Sequence, residues 1–167
     1  ELVKISKKNK IILIEDTCES LGAKYNNKNL GTYGRFGTFS FYYSHQITSG
    51  EGGMIVCNNK DDYHIVKTLR SHGWSRDTIF NKIYKEKHKK LDSRFLFVGP
   101  GYNLRPTDIQ AAIANSQFNR LNKFMKIRDY NRNLIISNLL KHPKWSNQFD
   151  FIKVNKNIKP SWFGLPM

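Results

Sequence analysis

Ile11-Ile12-Leu13-Ile14-Glu15-Asp16-Thr17-Cys18-Glu19-Ser20 begins aliphatic and turns acidic at Glu15. A short apolar run of mainly β-branched residues predicts a buried parallel strand. Glu15 and Asp16 then fall at its carboxyl end, the edge where open α/β sheets bind ligands. Downstream, Asn26-Asn27, Gly31, Gly34 and Gly37 mark a loop. Residues 38–42 read as a second strand, Ser49 to Gly53 as a glycine-rich turn, and Met54 to Cys57 as a third strand. Asp61-Asp62 predicts a helix start, because acidic residues complement the dipole of a first turn. Ile65, Val66 and Leu69 would form its apolar face, and His72-Gly73 its end. Residues 74–98 are polar and basic and predict a long loop. Pro106-Thr107-Asp108 opens the longest predicted helix, apolar at Ile109, Ile113, Leu121, Phe124, Leu134 and Leu139, with Pro143 as its stop. Strands alternating with helices predict an α/β sheet. So few strands predict part of a larger domain.

The composition suits a folded chain: of 167 residues, 39% are hydrophobic and 13% aromatic. No apolar run approaches the roughly 20 residues of a membrane span. The chain opens Glu1-Leu2-Val3-Lys4, without methionine and without a basic segment leading into an apolar one. We therefore expect a fragment, no signal peptide and no membrane partner. Cys18 and Cys57 are the only cysteines, and they form neither a metal-type spacing nor a disulfide framework. No metal site is expected, and a reducing compartment, the cytoplasm, fits them best.

A net charge of +15 is the kind of signal a nucleic-acid binder gives. It also follows from a chain crowded with Lys, Asn, Ile, Tyr and Phe, as A/T-rich coding favours. The basic residues are spread out, and their densest cluster, Lys82 to Lys90, holds one aromatic residue, Tyr84. A basic nucleic-acid-binding module is the alternative from a different class, and it predicts binding with a steep salt dependence. No nucleic-acid partner is expected, and an anionic substrate would also welcome the positive field.

Asp16 at a strand end is either a turn residue or a charge partner for a ligand cation. Ser40, in Phe39-Ser40-Phe41-Tyr42-Tyr43-Ser44-His45, is either an ordinary hydrogen bonder or a phosphate donor. Alternation sets Ser40 and Tyr42 on one face and Phe39, Phe41 and Tyr43 on the other. His45 directly follows a strand and precedes Gly50-Glu51-Gly52-Gly53. A lone histidine is more often structural, but a positioned imidazole suits proton transfer near neutral pH.

Several blocks in order resemble the DegT/StrS family of sugar aminotransferases. They are Ile14 to Ala23, Gly31-Thr32-Tyr33-Gly34, Gly37-Thr38-Phe39-Ser40-Phe41, Gly50-Glu51-Gly52-Gly53, Leu69-Arg70-Ser71-His72-Gly73, and Gly101-Tyr102-Asn103-Leu104-Arg105-Pro106-Thr107-Asp108. The resemblance implies an α/β fold: a fragment of the large domain of a fold-type I pyridoxal-phosphate-dependent aminotransferase, with a mixed, mostly parallel sheet and flanking helices. Residues 1–142 would be part of that domain, with its N-terminal portion missing. Residues 143–167 would be the transition into a truncated small domain. A homodimer with shared active sites is implied as well.

The family usually carries, at the position of His45, the lysine that holds pyridoxal phosphate covalently. Histidine there resembles the branch that removes the 3-hydroxyl of a nucleotide-linked 4-keto-6-deoxy sugar, as do Tyr42 to Ile47, His72-Gly73-Trp74, Phe97 to Asn103, and Glu19 where most members have Gln. The resemblance assigns His45 as the catalytic acid/base. Asp16 would pair with the cofactor's pyridine nitrogen, Glu19 would lie near its ring hydroxyl, and Ser40 would bind its phosphate. Asn103 would reach the phosphate of the neighbouring subunit's cofactor. The implied cofactor is pyridoxal 5'-phosphate in its pyridoxamine 5'-phosphate form, the favoured substrate GDP-linked, and the amino donor glutamate. The implied setting is deoxysugar synthesis for lipopolysaccharide, colitose among the products. A related dehydratase branch holds an iron–sulfur cluster with four cysteines after the glycine-rich turn. Residues 58–167 contain no cysteine, so no iron–sulfur cluster is expected. Within the family, the alternative is an inactive or regulatory member.

Overall fold

The computed structural model describes residues 1–167. α1 (Leu2–Lys8) leads into β1 (Ile14–Asp16). β1 runs parallel to β4 (Phe36–Ser40), with Asp16 opposite Thr38. β4 pairs antiparallel with β5 (Gly53–Cys57), with Ser40 opposite Gly53. The sheet order β1-β4-β5 puts β4 in the centre.

β1 starts later than the aliphatic run suggests. Ile11 N still donates to Ser6 O, and Lys10 has φ 55°, so the chain is turning out of α1 until that point. Ile11, Ile12 and Ile14 are 61%, 57% and 59% exposed. They are therefore not the buried strand their composition predicts, because no element of this chain covers them. The apolar signal records a face able to be buried, and burial needs a partner.

The loop between the first two sheet strands contains a hairpin, β2 (Lys24–Tyr25) and β3 (Lys28–Asn29). Asn26 and Asn27 have φ 45° and 63°, the left-handed pair a tight hairpin turn requires. β6 (Ile158–Lys159) pairs with β2 on its other side, which returns the end of the chain to its beginning.

α2 (Lys60–Leu69) is capped by Asn59, whose Oδ1 accepts from Asp61 N at 2.7 Å and Asp62 N at 3.2 Å. Its buried residues are Asp62, His64 and Thr68, whereas Ile65 and Leu69 are exposed. The predicted apolar face is thus turned outward. On the inner face, the Nε and Nη2 of Arg35 meet the two Asp62 carboxylate oxygens at 2.7 and 2.6 Å. Those hydrogen bonds hold the Asp62 carboxyl below its ordinary value, against the opposing effect of burial. A depressed carboxylate contributes stability above the unfolded value, about pH 4, and loses it as pH falls through the folded value. Asp62→Asn is therefore expected to lower Tm by several degrees at pH 7, with the deficit closing below about pH 4. A deficit that stayed constant across that range would show that the pair is not its source.

The predicted 74–98 loop contains α3 (Ile79–Lys87) and a 3-10 turn, Ser93–Phe95. The predicted helix after Pro106 is two helices, α4 (Asp108–Phe118) and α5 (Leu121–Leu140), broken at Asn119-Arg120. Thr107 and Gln110 form a capping box at the start of α4. The break turns Leu121 into the core, where it joins Leu21, Phe39 and Ile47, with Phe41, Val56, Phe124 and Met125 alongside. Burying a leucine of this kind contributes about 2 kcal/mol. No helix is long and apolar enough to cross a membrane.

Candidate active site

The carboxyl end of β1 carries two carboxylates with different tasks. Glu15 points to the buried side and fastens the following loop: its Oε1 accepts from Gly31 N at 2.7 Å, and its Oε2 from Tyr33 N and Gly34 N, each at 2.6 Å. Asp16 lies on the other face, with Thr38 and Ser40 of the adjoining strand. Its Oδ1 accepts from Cys18 N at 3.2 Å and faces Thr38 Oγ1 at 3.4 Å. Hydrogen bonding from Cys18, thiol first and then main chain, holds this carboxyl below the ordinary carboxylate value. Burial, with Asp16 second, pushes the Cys18 thiol up. Asp16 is thus both a turn residue and an exposed anion.

Ser40 ends the central strand. Its Oγ accepts from Tyr42 N at 3.2 Å, and its hydroxyl hydrogen has no protein acceptor. The chain then turns, with His45 N donating to Tyr42 O at 3.1 Å. The half-buried His45 ring lies between two aromatic rings. Tyr42 is at 5.8 Å between centroids and 85° between planes, Phe163 at 5.3 Å and 59°. His45 Nδ1 is buried and has no hydrogen-bond partner.

Gln46 joins this turn to the one after β1. It is buried, and its Nε2 donates to Glu19 O. Ile47 follows into the core, and Ser49 N donates to Phe41 O at 2.9 Å, so the turn is closed on itself. Gly50, at φ 82°, supplies the left-handed step in the glycine-rich stretch. Asp16, Ser40 and His45 therefore gather at one sheet edge, and the main chain of Glu19 is tied to it. The Glu19 side chain is exposed and makes no hydrogen bond.

Asn103 belongs to a different region. It forms an isolated bridge with Ser71, and no hydrogen bond links it to Asp16, Ser40 or His45. Beside it a cleft of about 270 Å³ is lined by Lys67, Arg70, Ser71, Arg76, Asp77 and Arg105, with Trp74 as its apolar wall. No carboxylate forms an ion pair with those arginines, the chain's two being Arg35–Asp62 and Arg94–Asp92. Guanidinium groups left unpaired in a concavity suit a phosphate or carboxylate ligand.

The edge around Asp16 fits pyridoxal-type cofactor chemistry on three counts. An ionised carboxylate can balance a ring cation, a hydroxyl hydrogen is available for a phosphate, and an imidazole stands where no amine is offered. Glu15, Gln46 and Phe163 were not among the expected site residues. Glu15 was legible only as an acid at a strand end. The partners of Gln46 and Phe163 lie far off in sequence, so no local signal marks them.

The sequence profile of the DegT/DnrJ/EryC1/StrS aminotransferase family matches residues 1–166. GDP-4-keto-6-deoxy-D-mannose 3-dehydratase of Escherichia coli O55:H7 (strain CB9615 / EPEC) is 40% identical over 167 residues, covering 98% of this chain and 41% of that protein. A solved structure of the E. coli enzyme of that name, with bound hydrated PLP, superposes with a TM-score of 0.76 at 36% identity, covering 98% of this chain and 41% of its own. A further structure of GDP-4-keto-6-deoxymannose-3-dehydratase, with a trapped PLP-glutamate geminal diamine, gives 0.75 at 35% identity, with 98% and 42% covered. The chain thus spans about two-fifths of the length of these relatives.

Proposed function

Because the chain belongs to the DegT/DnrJ/EryC1/StrS aminotransferase family, we propose that it forms part of a sugar 3-dehydratase using pyridoxamine phosphate. The observation that carries this reading is His45, an imidazole at the sheet edge shared with Asp16 and Ser40, where the family's usual residue is lysine. An imidazole cannot bond covalently to the cofactor aldehyde as an amine does, yet it can carry a proton in both directions.

When bound, pyridoxamine phosphate supplies an amine for the sugar's 4-keto group and a pyridinium electron sink. Asp16, kept ionised by its hydrogen bonds, balances the ring cation. Ser40 would donate its free hydroxyl hydrogen to the phosphate, and Glu19 would lie near the ring hydroxyl. His45 would take up and return a proton at its imidazole, the acid/base work that loss of the 3-hydroxyl needs. Asn103 would reach the phosphate held by a second copy, a role that its position apart from the other four residues supports, and the working unit would then be a homodimer. The substrate is a GDP-linked 4-keto-6-deoxy sugar, and glutamate restores the amine. Residues 1–142 serve as part of the cofactor-binding domain, and 143–167 lead toward a smaller one. The setting is cytoplasmic deoxysugar synthesis for lipopolysaccharide, colitose being one such product.

The test is incubation with pyridoxamine phosphate, glutamate and GDP- or CDP-linked 4-keto-6-deoxy sugars, followed by mass spectrometry. Loss of one water from the GDP sugar is expected, and unchanged mass for every sugar would overturn the reading. Asp16→Asn is expected to weaken cofactor binding at least about tenfold, since a charge-assisted contact becomes a neutral one. Absorbance titration with the cofactor measures this, and an unchanged affinity would remove Asp16 from the site.

A further inference from the structure

An acid/base imidazole is normally aimed by a hydrogen bond to its second ring nitrogen. His45 has no such bond: its Nδ1 is buried without a partner. What borders the ring is aromatic. Tyr42 stands edge-on from three residues earlier, and Phe163 approaches from the far end of the chain.

Phe163 is itself held from α5. Arg128 Nη1 donates to Trp162 O at 3.1 Å and to Phe163 O at 2.9 Å. The Trp162 indole Nε1 donates to Asp129 Oδ1 at 3.1 Å. The Arg132 guanidinium lies 4.0 Å from the centroid of the same indole. Ser161, just before it, is buried. Arg128, Asp129 and Arg132 of α5 thus hold the main chain of residues 162–163 and the indole of Trp162. α5 also reaches residue 152, where Arg132 Nη2 donates to Ile152 O at 2.8 Å, but it holds residues 162–163 by both main chain and side chain.

We infer that Phe163, fixed by Arg128 and by the seating of Trp162 on α5, is a positioning residue for His45, confining the imidazole against Tyr42 so that it faces the reacting carbon. The inference rests on the proton-carrier role given to His45 above. Packing does here what a hydrogen bond does elsewhere. A ring wedged between two others loses rotamer freedom, and a misplacement of about 1 Å in a reacting group costs up to about a hundredfold in rate. The device also links the catalytic ring to α5 and to the 158–163 segment that β6 attaches to the hairpin. Movement of that segment would release the imidazole.

The experiment compares the wild-type protein, in its intact form, with Phe163→Ala, Phe163→Tyr and Arg128→Ala. The His45 ring resonance is identified by its disappearance in His45→Asn. In Phe163→Ala that resonance is expected to lose its ring-current displacement, and kcat to fall about tenfold with KM changed by less than about twofold. Phe163→Tyr restores both. Arg128→Ala removes no aromatic ring but frees the main chain at Phe163, and is expected to move the resonance in the same direction by a smaller amount, which keeps the test open if Phe163→Ala does not fold. A His45 resonance unchanged in both Phe163→Ala and Arg128→Ala overturns the inference, whether or not the protein dehydrates a sugar. A loss of kcat that Phe163→Tyr does not restore overturns it too. A displaced resonance with unaltered kcat overturns the positioning role and, separately, counts against His45 as the proton carrier. Absence of water loss in the wild type bears only on the function proposed above.

Discussion

Replacement of His45 by asparagine is expected to lower dehydration by about 10²- to 10⁴-fold, the range that a positioned general acid/base contributes. Asparagine keeps comparable size and polarity but cannot take up a proton near neutral pH. The half-buried ring makes no side-chain hydrogen bond, so its replacement breaks none. Cofactor affinity is expected to stay within a few-fold, because Asp16 and Ser40 hold the ring and the phosphate in the proposed arrangement. Single-turnover release of water, measured with pyridoxamine phosphate already loaded, separates the chemical step from binding. His45→Lys provides the converse: loss of dehydration with gain of a covalent cofactor link, visible as a new absorbance band. A His45→Asn protein that dehydrated at the wild-type rate would end the proposal that this imidazole moves the proton.

Gly73→Ala is expected to disrupt the region that presents Asn103. Gly73 has φ 80°, left-handed backbone that a β-carbon resists. A Cβ at Gly73 would also overlap Gly99 O, well inside van der Waals contact, and one at Gly101 would overlap Gly73 N. Two stretches of main chain cross here with no room for a side chain. The crossing is built from His72 N to Tyr102 O at 2.8 Å, Val98 N to Gly73 O at 2.8 Å, Tyr102 N to Leu69 O at 2.7 Å and Leu104 N to Arg70 O at 3.0 Å. Strain of the left-handed residue and the forced separation act together, so a loss of more than about 3 kcal/mol is expected. Thermal unfolding measures it. Hydrogen exchange should show protection lost first at Tyr102 and Leu104 while Thr38 and Phe39 in the sheet remain protected. A Tm within a degree of wild type would mean that the crossing can open without cost.

The elements legible from local sequence were those whose signal is periodic or capped. The β4 and β5 strands, the acidic start of α2 and the start of α4 all carry such signals, and each forms within a few residues of its expected bounds. The errors share another cause. Ile65 and Leu69 looked like the inner face of α2, but they are exposed, and Asp62, His64 and Thr68 face inward, with Asp62 paired to Arg35. Ile11 and Ile12 looked buried, yet burial depends on an element to cover them. The break at Asn119-Arg120 interrupts an apolar pattern that a single helix would also satisfy.

His45, Asp16, Ser40, Glu19 and Asn103 could all be named from ordered motif blocks, since a motif records residue types and spacing. The motif blocks also identified the family, and with it the fold-type I architecture of which these strands and helices form a part. Only the folded chain decided how the residues stand toward one another. Asp16 and Ser40 share a face because β1 and β4 pair in parallel, while Asn103 stands apart against Ser71. Hydrogen bonds from Cys18 lower the Asp16 carboxyl below its ordinary value, and Gln46 ties the turn after β4 to the one after β1. Phe163 meets His45 across most of the chain's length because α5 grips residues 162–163. Chemistry at a residue is local and can be read in the sequence, whereas the contact that aims it is a tertiary event set by which faces find a partner.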